Sequence, residues 1–225
     1  MQYIFKGSWN CDYDKITKLI ILNPIDESFF TNTLPLFTQL ESLVINCEIR
    51  WKWLKNADLN RLKMLYITVD GAPTFPLQAE NLGVLSIVVH SEMEDYSREE
   101  LYAVHRRYFD FSPLRKLTFL RISGWYSLDL RSFDTLPYLR ELVINDKGTD
   151  NLRWLGTNYS LVSLDYQGDL ISLDGIENQP LIEGIYLAGN FISDKSPLDK
   201  LTNLKEIDLR NNPVKANRHA FSKVV

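Results

Sequence analysis

Glycine is scarce in this 225-residue chain, with 10 residues, about 4% where roughly 7% is usual. Glycine-rich phosphate loops are therefore not expected, and neither the G-x-x-x-x-G-K-[ST] nor the G-x-G-x-x-G pattern occurs. G-x-S-x-G and H-E-x-x-H are missing too, so the commonest nucleophile and zinc-protease signatures have no support. Cysteine is limited to Cys11 and Cys47. Two residues cannot build a disulfide framework or a four-cysteine zinc site. Neither has a neighbouring histidine or basic group that would lower a thiol pKa. The three histidines fall at a turn position (His90), in the inserted segment (His105) and in the tail (His219), and no shared metal centre or cofactor is expected. No block of five like charges occurs, no apolar run approaches the roughly 18 residues of a membrane helix, and Met1–Gly7 lacks the apolar core of a signal peptide. With 25 Lys+Arg against 29 Asp+Glu, the formal net charge is −4, too balanced for a general nucleic-acid coat. The expectation is a reduced, cytoplasmic protein with no membrane partner, although a mature secreted form would look similar.

What the chain does have is a repeat. Ile182-Glu183-Gly184-Ile185-Tyr186-Leu187-Ala188-Gly189-Asn190 and Leu204-Lys205-Glu206-Ile207-Asp208-Leu209-Arg210-Asn211-Asn212 share one pattern. Both read apolar-x-x-apolar-x-Leu-x-x-Asn. The same template begins at Ile16, Leu40, Leu62, Leu82, Leu117, Leu139 and Leu161. The nine starts are 20 to 24 residues apart except for one step of 35 between Leu82 and Leu117. Apolar residues at positions four and six of a unit, such as Leu43 and Ile45 or Leu142 and Ile144, share one face of a short strand. One strand cannot bury that face alone, so successive units must stack with parallel strands over a continuous core. Prolines 35, 73, 76, 113, 137, 180 and 197 fall between the strands, where a missing amide hydrogen costs least. Asparagine at position nine can bond backbone groups where the chain leaves the strand.

These units resemble leucine-rich repeats over residues 16–214. The run Asn190–Leu204 is similar to the 22-residue subclass of internalins and phosphatase-regulatory repeat proteins, and Asn211-Asn212-Pro213-Val214 looks like a common ending of such arrays. The resemblance implies an α/β leucine-rich-repeat solenoid, a curved horseshoe with about nine parallel strands on its concave face and irregular or short helical segments outside. Position nine departs from asparagine in the earlier units, where Pro24, Glu48, Asp70, His90, Trp125, Lys147 and Asp169 stand. Residues 1–15, rich in aromatics, are expected to form an N-terminal cap, and 215–225 a short C-terminal cap or tail. The long step places an insertion near 91–112. There Ser97 and Glu100 form a capping box, and Leu101, Val104, Tyr108 and Phe111 recur at helical spacing. Either this helix only fills the convex side, or the preceding segment, 91–96, overhangs the binding surface.

Strand positions three, five and seven point away from the core and compose the concave face. Its first half is apolar, with Ile20, Leu22, Val44, Met64, Tyr66, Val84, Val88 and Phe119. Its second half carries Glu141, Asp165, Glu206 and Asp208. A solvated sheet face is normally polar, and contiguous exposed apolar surface commonly marks a partner site. The candidate partner-binding residues are Met64, Tyr66, Val88, Phe119, Arg121, Trp125, Glu141, Asp165, Tyr186 and Asp208, with Tyr, Trp and Arg foremost. The acidic column favours a basic patch on the partner. Nine strands at about 4.8 Å span roughly 40 Å, enough for a standard interface of about 800 Å² per side. Arg50-Trp51-Lys52-Trp53 is the one dense basic–aromatic run, and it reads as a convex return segment with a packed tryptophan and a solvated lysine. The expected function is non-enzymatic binding of another protein by a monomeric, intracellular inhibitor, immunity-type or adaptor protein. The alternatives are a secreted or translocated effector, a surface repeat protein, or an enzyme with an unrecognised site.

Overall fold

The computed structural model describes residues 1–70, 75–90, 107–108, 110–125, 128–129, 133–146 and 148–214. Twelve strands are assigned among them: β1 (Gln2–Phe5), β2 (Lys18–Ile21), β3 (Ser42–Arg50), β4 (Met64–Asp70), β5 (Val84–His90), β6 (Arg107–Tyr108), β7 (Phe119–Trp125), β8 (Leu128–Asp129), β9 (Glu141–Asp146), β10 (Ser163–Gly168), β11 (Gly184–Tyr186) and β12 (Glu206–Asp208). Ten of them form one sheet in the order β1-β2-β3-β4-β5-β7-β9-β10-β11-β12. Every pairing in it is parallel.

The register follows the repeat arithmetic. Position three runs Lys18, Ser42, Met64, Val84, Phe119, Glu141, Ser163, Gly184, Glu206 across the sheet, each paired with the next. The sheet holds ten strands and not nine, because Gln2–Phe5 pairs with Lys18–Ile21 ahead of the first recognisable unit. Each unit is tied to the next by one backbone device. The carbonyl at position two accepts two amides of the following unit, as Thr118 does from Arg140 (2.9 Å) and Glu141 (3.1 Å).

Positions four and six supply the core. Leu19, Leu43, Leu65, Leu85, Leu120 and Leu164 are completely buried, as are Ile21, Ile87 and Ile122. Each such side chain is worth about 1.5–3 kcal/mol relative to full exposure. Among the described residues the outer return path is built from short 3-10 segments, including Leu34–Leu36, Trp51–Asn56, Arg153–Leu155, Ile176–Asn178 and Ser196–Lys200, with a π turn at Phe29–Thr33. Pro35 and Pro197 open their turns, where proline's fixed φ suits the first positions. In Trp51–Asn56 the Trp51 side chain is buried, Lys52 is exposed, and Trp53 is partly buried against the core. Trp9 is the centre of the N-terminal aromatic cluster: it stacks on Phe5 at 4.0 Å and on Phe29 at 5.6 Å.

Two register changes were not visible in the repeat. Thr68 pairs with Glu48, not Asn46, because β3 carries an irregularity between Ile45 and Glu48. In β7 a bulge at Gly124 moves the Trp125 backbone opposite Asp146, one position earlier than the repeat count gives. Gly124 has φ +83° and its missing side chain makes the bulge possible: a Cβ would lie 2.2 Å from the Val89 carbonyl oxygen. The helix expected in the insertion does not extend to Arg107–Tyr108. Those residues are extended and pair in parallel with Leu128–Asp129. The capping box at Ser97 and Glu100, the rest of segment 91–106 and the tail 215–225 lie outside the described residues.

Candidate functional site

The concave face is assembled by the register just given. Position five reads Ile20, Val44, Tyr66, Ser86, Arg121, Val143, Asp165, Tyr186 and Asp208 in unbroken pairing. The predicted residues Met64, Tyr66, Phe119, Arg121, Glu141, Asp165, Tyr186 and Asp208 therefore occupy two adjacent rows, and Val88 lies in the next row, paired with Thr68 and Ser123. Trp125 ends β7, but its side chain lies outside the described residues. The added strand β1 extends the apolar half, since Ile4 pairs with Ile20. Ile4, Leu22 and Met64 are 40%, 49% and 37% exposed. All three keep a substantial apolar area open to solvent.

The acidic half is more structured than charge counting implies. Gly184 leaves open the space over which the Tyr186 ring lies, with ring atoms 3.1–3.4 Å from where a Cβ would stand. From there the Tyr186 hydroxyl donates to the Glu206 carboxylate. That bond, ahead of burial, holds the phenol above its usual range. Asp208 accepts from Arg210 Nε at 2.9 Å and Nη2 at 2.7 Å, and the pairing lowers its carboxyl pKa. Two of the four carboxylates are thus already engaged. Asp165 is half-buried and has no hydrogen-bonded cation among the described residues; burial pushes its carboxyl up, the Arg121 charge pulling the other way and Asp208 adding to the rise. Glu141 is exposed.

The sequence reading missed the Gly184–Tyr186–Glu206 arrangement, although a glycine two positions before an outward tyrosine was a visible signal. Asparagine at position nine bonds the backbone as the repeat predicts, whereas a polar group on the opposite strand edge, around Asn158, was missed. Asn190 bonds Tyr166 and Leu187 carbonyls at 2.9 Å each and accepts from Leu170 N–H at 3.1 Å, and Asn212 repeats this one unit on. On the opposite edge of the strands, buried Asn158 donates to the Phe133 and Leu136 carbonyls and accepts from the Ser160 and Leu161 amides. Its own backbone amide donates to buried Gln179. Burial raises both thiols, that of Cys47 and that of Cys11, which leaves them unactivated as nucleophiles. Among the described residues no three His, Cys, Asp or Glu come together as a metal site, and no helix is long and apolar enough to cross a membrane. His90, at the rim, contacts Glu48 at 2.7 Å.

No protein-family profile matches the chain. A stretch of 81 residues, 35% of the chain, is 37% identical to human leucine-rich repeat-containing protein 56 and spans 15% of that protein. Among solved structures, the TLR13–ssRNA13 complex superposes with a TM-score of 0.59 at 16% identity, covering 92% of this chain and 34% of that one. Internalin C2 of Listeria monocytogenes superposes with a TM-score of 0.51 at 18% identity, covering 77% of this chain and 72% of its own. The repeat of 20 to 24 residues, the ten-stranded parallel sheet and these neighbours show the fold of a leucine-rich-repeat horseshoe.

Proposed function

We propose that the protein is a non-enzymatic binding module that grips another protein across its concave face, acting in a reducing compartment as an inhibitor, immunity-type protein or adaptor. The observation that carries this reading is the apolar half of that face, where Ile4, Leu22 and Met64 stay exposed beside Tyr66 and Val88 although the repeat requires nothing apolar there. Ten strands span about 43 Å, room for a standard interface. The half-buried Asp165 and the exposed Glu141 favour a lysine or arginine on the partner. Both cysteines are free thiols, in keeping with a reducing compartment. The test is affinity capture from the native lysate with the wild-type chain and with a Tyr66→Ala/Asp165→Ala variant. Capture of a defined protein by the wild type and its loss with the variant supports the reading. Equal capture by both sinks the concave-face assignment.

A further inference from the structure

A second surface lies on the edge where the chain enters each strand, and it uses repeat positions the concave face does not. Position two on this edge runs Thr17, Glu41, Lys63, Gly83, Thr118, Arg140, Val162, Glu183, Lys205, with each carbonyl accepting amides of the next unit. Its side chains therefore form a ladder at about one strand spacing, ~4.8 Å. Neighbouring rungs pair their charges: Lys63 meets Glu41 at 2.6 Å and Lys205 meets Glu183 at 2.8 Å. Arg140 breaks the rule. Its neighbouring rungs are Thr118 and Val162, so neither side offers a carboxylate, and its exposed guanidinium has no ion-pair partner among the described residues.

The residue preceding each unit breaks its own rule at the same place. In the other units it is Lys15, Gln39, Arg61, Asn81, Lys116, Ser160 or Asn203, several of them serving the stack with polar bonds, such as Asn203 to the Pro180 carbonyl at 2.8 Å. At Tyr138 and Leu181 it is apolar and exposed, 61% and 47%, and Tyr159, beside Ser160, is 75% exposed. These side chains line one groove of about 510 Å³ with Arg140, Lys116 and Val162, within the size range of ordinary ligand sites. Among the described residues Lys116 donates to the Asn81 amide oxygen and to no carboxylate, and Glu183 at the far end is neutralised by Lys205. The groove is therefore locally cationic on a chain of net charge −4.

We propose that this strand-entry groove docks a peptide segment of a partner protein that carries a carboxylate next to an apolar side chain. The apolar group rests on Tyr138, Tyr159 and Leu181, and the carboxylate takes the two-pronged bond that the unpaired Arg140 guanidinium offers. Tyrosine and arginine are the residue types on which interface energy concentrates. The site is independent of the concave face, so either can fail without the other.

The probe is a phage-displayed library of random 12-residue peptides panned on the immobilised full chain, followed by fluorescence anisotropy with a labelled copy of the most enriched peptide. The expected result is enrichment of sequences with Asp or Glu within two positions of an aromatic or aliphatic residue. Affinity should drop at least about tenfold with Tyr138→Ala/Tyr159→Ala and with Arg140→Gln, and stay within about twofold with the concave variant Tyr66→Ala. All these side chains are solvent-facing, and unchanged thermal midpoints verify that the variants are folded. Enrichment of basic peptides, binding that survives the groove variants, binding lost with Tyr66→Ala, or no enrichment overturns the proposal.

Discussion

Asn190 shows how one side chain can hold two repeat units in register. Its amide closes three bonds, two to carbonyls on β10 and at the end of β11's unit and one from the Leu170 amide, all buried. Asn190→Ala leaves the Leu170 N–H unpaired away from water, and a loss of about 1–3 kcal/mol is expected, read as a lower urea midpoint at unchanged slope. Asp165 behaves oppositely. Its pKa is raised in the fold by burial, so the native state holds the proton more tightly than the unfolded chain. The stability associated with that proton is present below the unfolded carboxyl pKa and is lost as pH rises through the higher folded value. Asp165→Asn should therefore raise the melting temperature at pH 7 and have little effect near pH 3. A gain of the same size at both pH values would contradict the burial account. Asn190 and Asn212 were legible as a repeat position. Asn158 and Gln179 were not, because they build one ladder from two residue types and leave no recurring letter.

Among elements, β9 separates the two faces most cleanly. Leu142 points into the core at 1% exposed, while Val143, next to it, is half-buried on the concave face. Leu142→Ala should cost about 2–5 kcal/mol through lost burial and a cavity, whereas Val143→Ala should stay within about 0.5 kcal/mol; chemical denaturation of both variants checks the assignment of faces. In β7, Gly124→Ala sets a Cβ against the Val89 carbonyl at a positive φ. A destabilisation of about 1–3 kcal/mol is expected, with loss of the bulge visible as changed amide shifts in β7 and β9. Strand existence and register could be read from positions four and six, since an alternating core admits no one-residue slip. The irregularities in β3 and β7 could not, because an extra residue in one strand is accommodated by its neighbour's backbone and leaves the spacing of the unit starts intact. The first strand was missed for a related reason: Gln2–Phe5 has no upstream unit to set a period against.

For the whole molecule, strand pairing in the main sheet joins each unit to the next along one dimension, so stability adds approximately along the stack. The strands are longest in the first half, nine residues in β3 and seven in β4 and β5, and shrink to three in β11 and β12. Ile207, a core position by repeat count, is 41% exposed. Hydrogen exchange should follow this gradient, with Gly184–Tyr186 and Glu206–Asp208 exchanging well before Met64–Asp70 and Val84–His90. Uniform protection along the array would instead mean all-or-none opening. The two proposed surfaces also belong to this scale, since both are columns of side chains brought together only by stacking: the concave rows unite residues from Ile4 to Asp208, and the strand-entry groove unites residues from Lys116 to Asn203.

The amino-acid sequence alone determined the repeat, the parallel stack, the core face and the membership of the concave rows from Lys18 onward, with Ile4 added by the structure. A fixed period and strict alternation leave one arrangement that buries every leucine column. Tertiary structure decided what those rows are free to do. It spent Glu206 on Tyr186 and Asp208 on Arg210, left Asp165 half-buried, bent β7 at Gly124, and set Arg140 between two uncharged rungs beside exposed tyrosines. The physical reason is that a period specifies which positions share a face, whereas pairing, desolvation and exposure depend on which side chains neighbouring units bring within about 5 Å of one another.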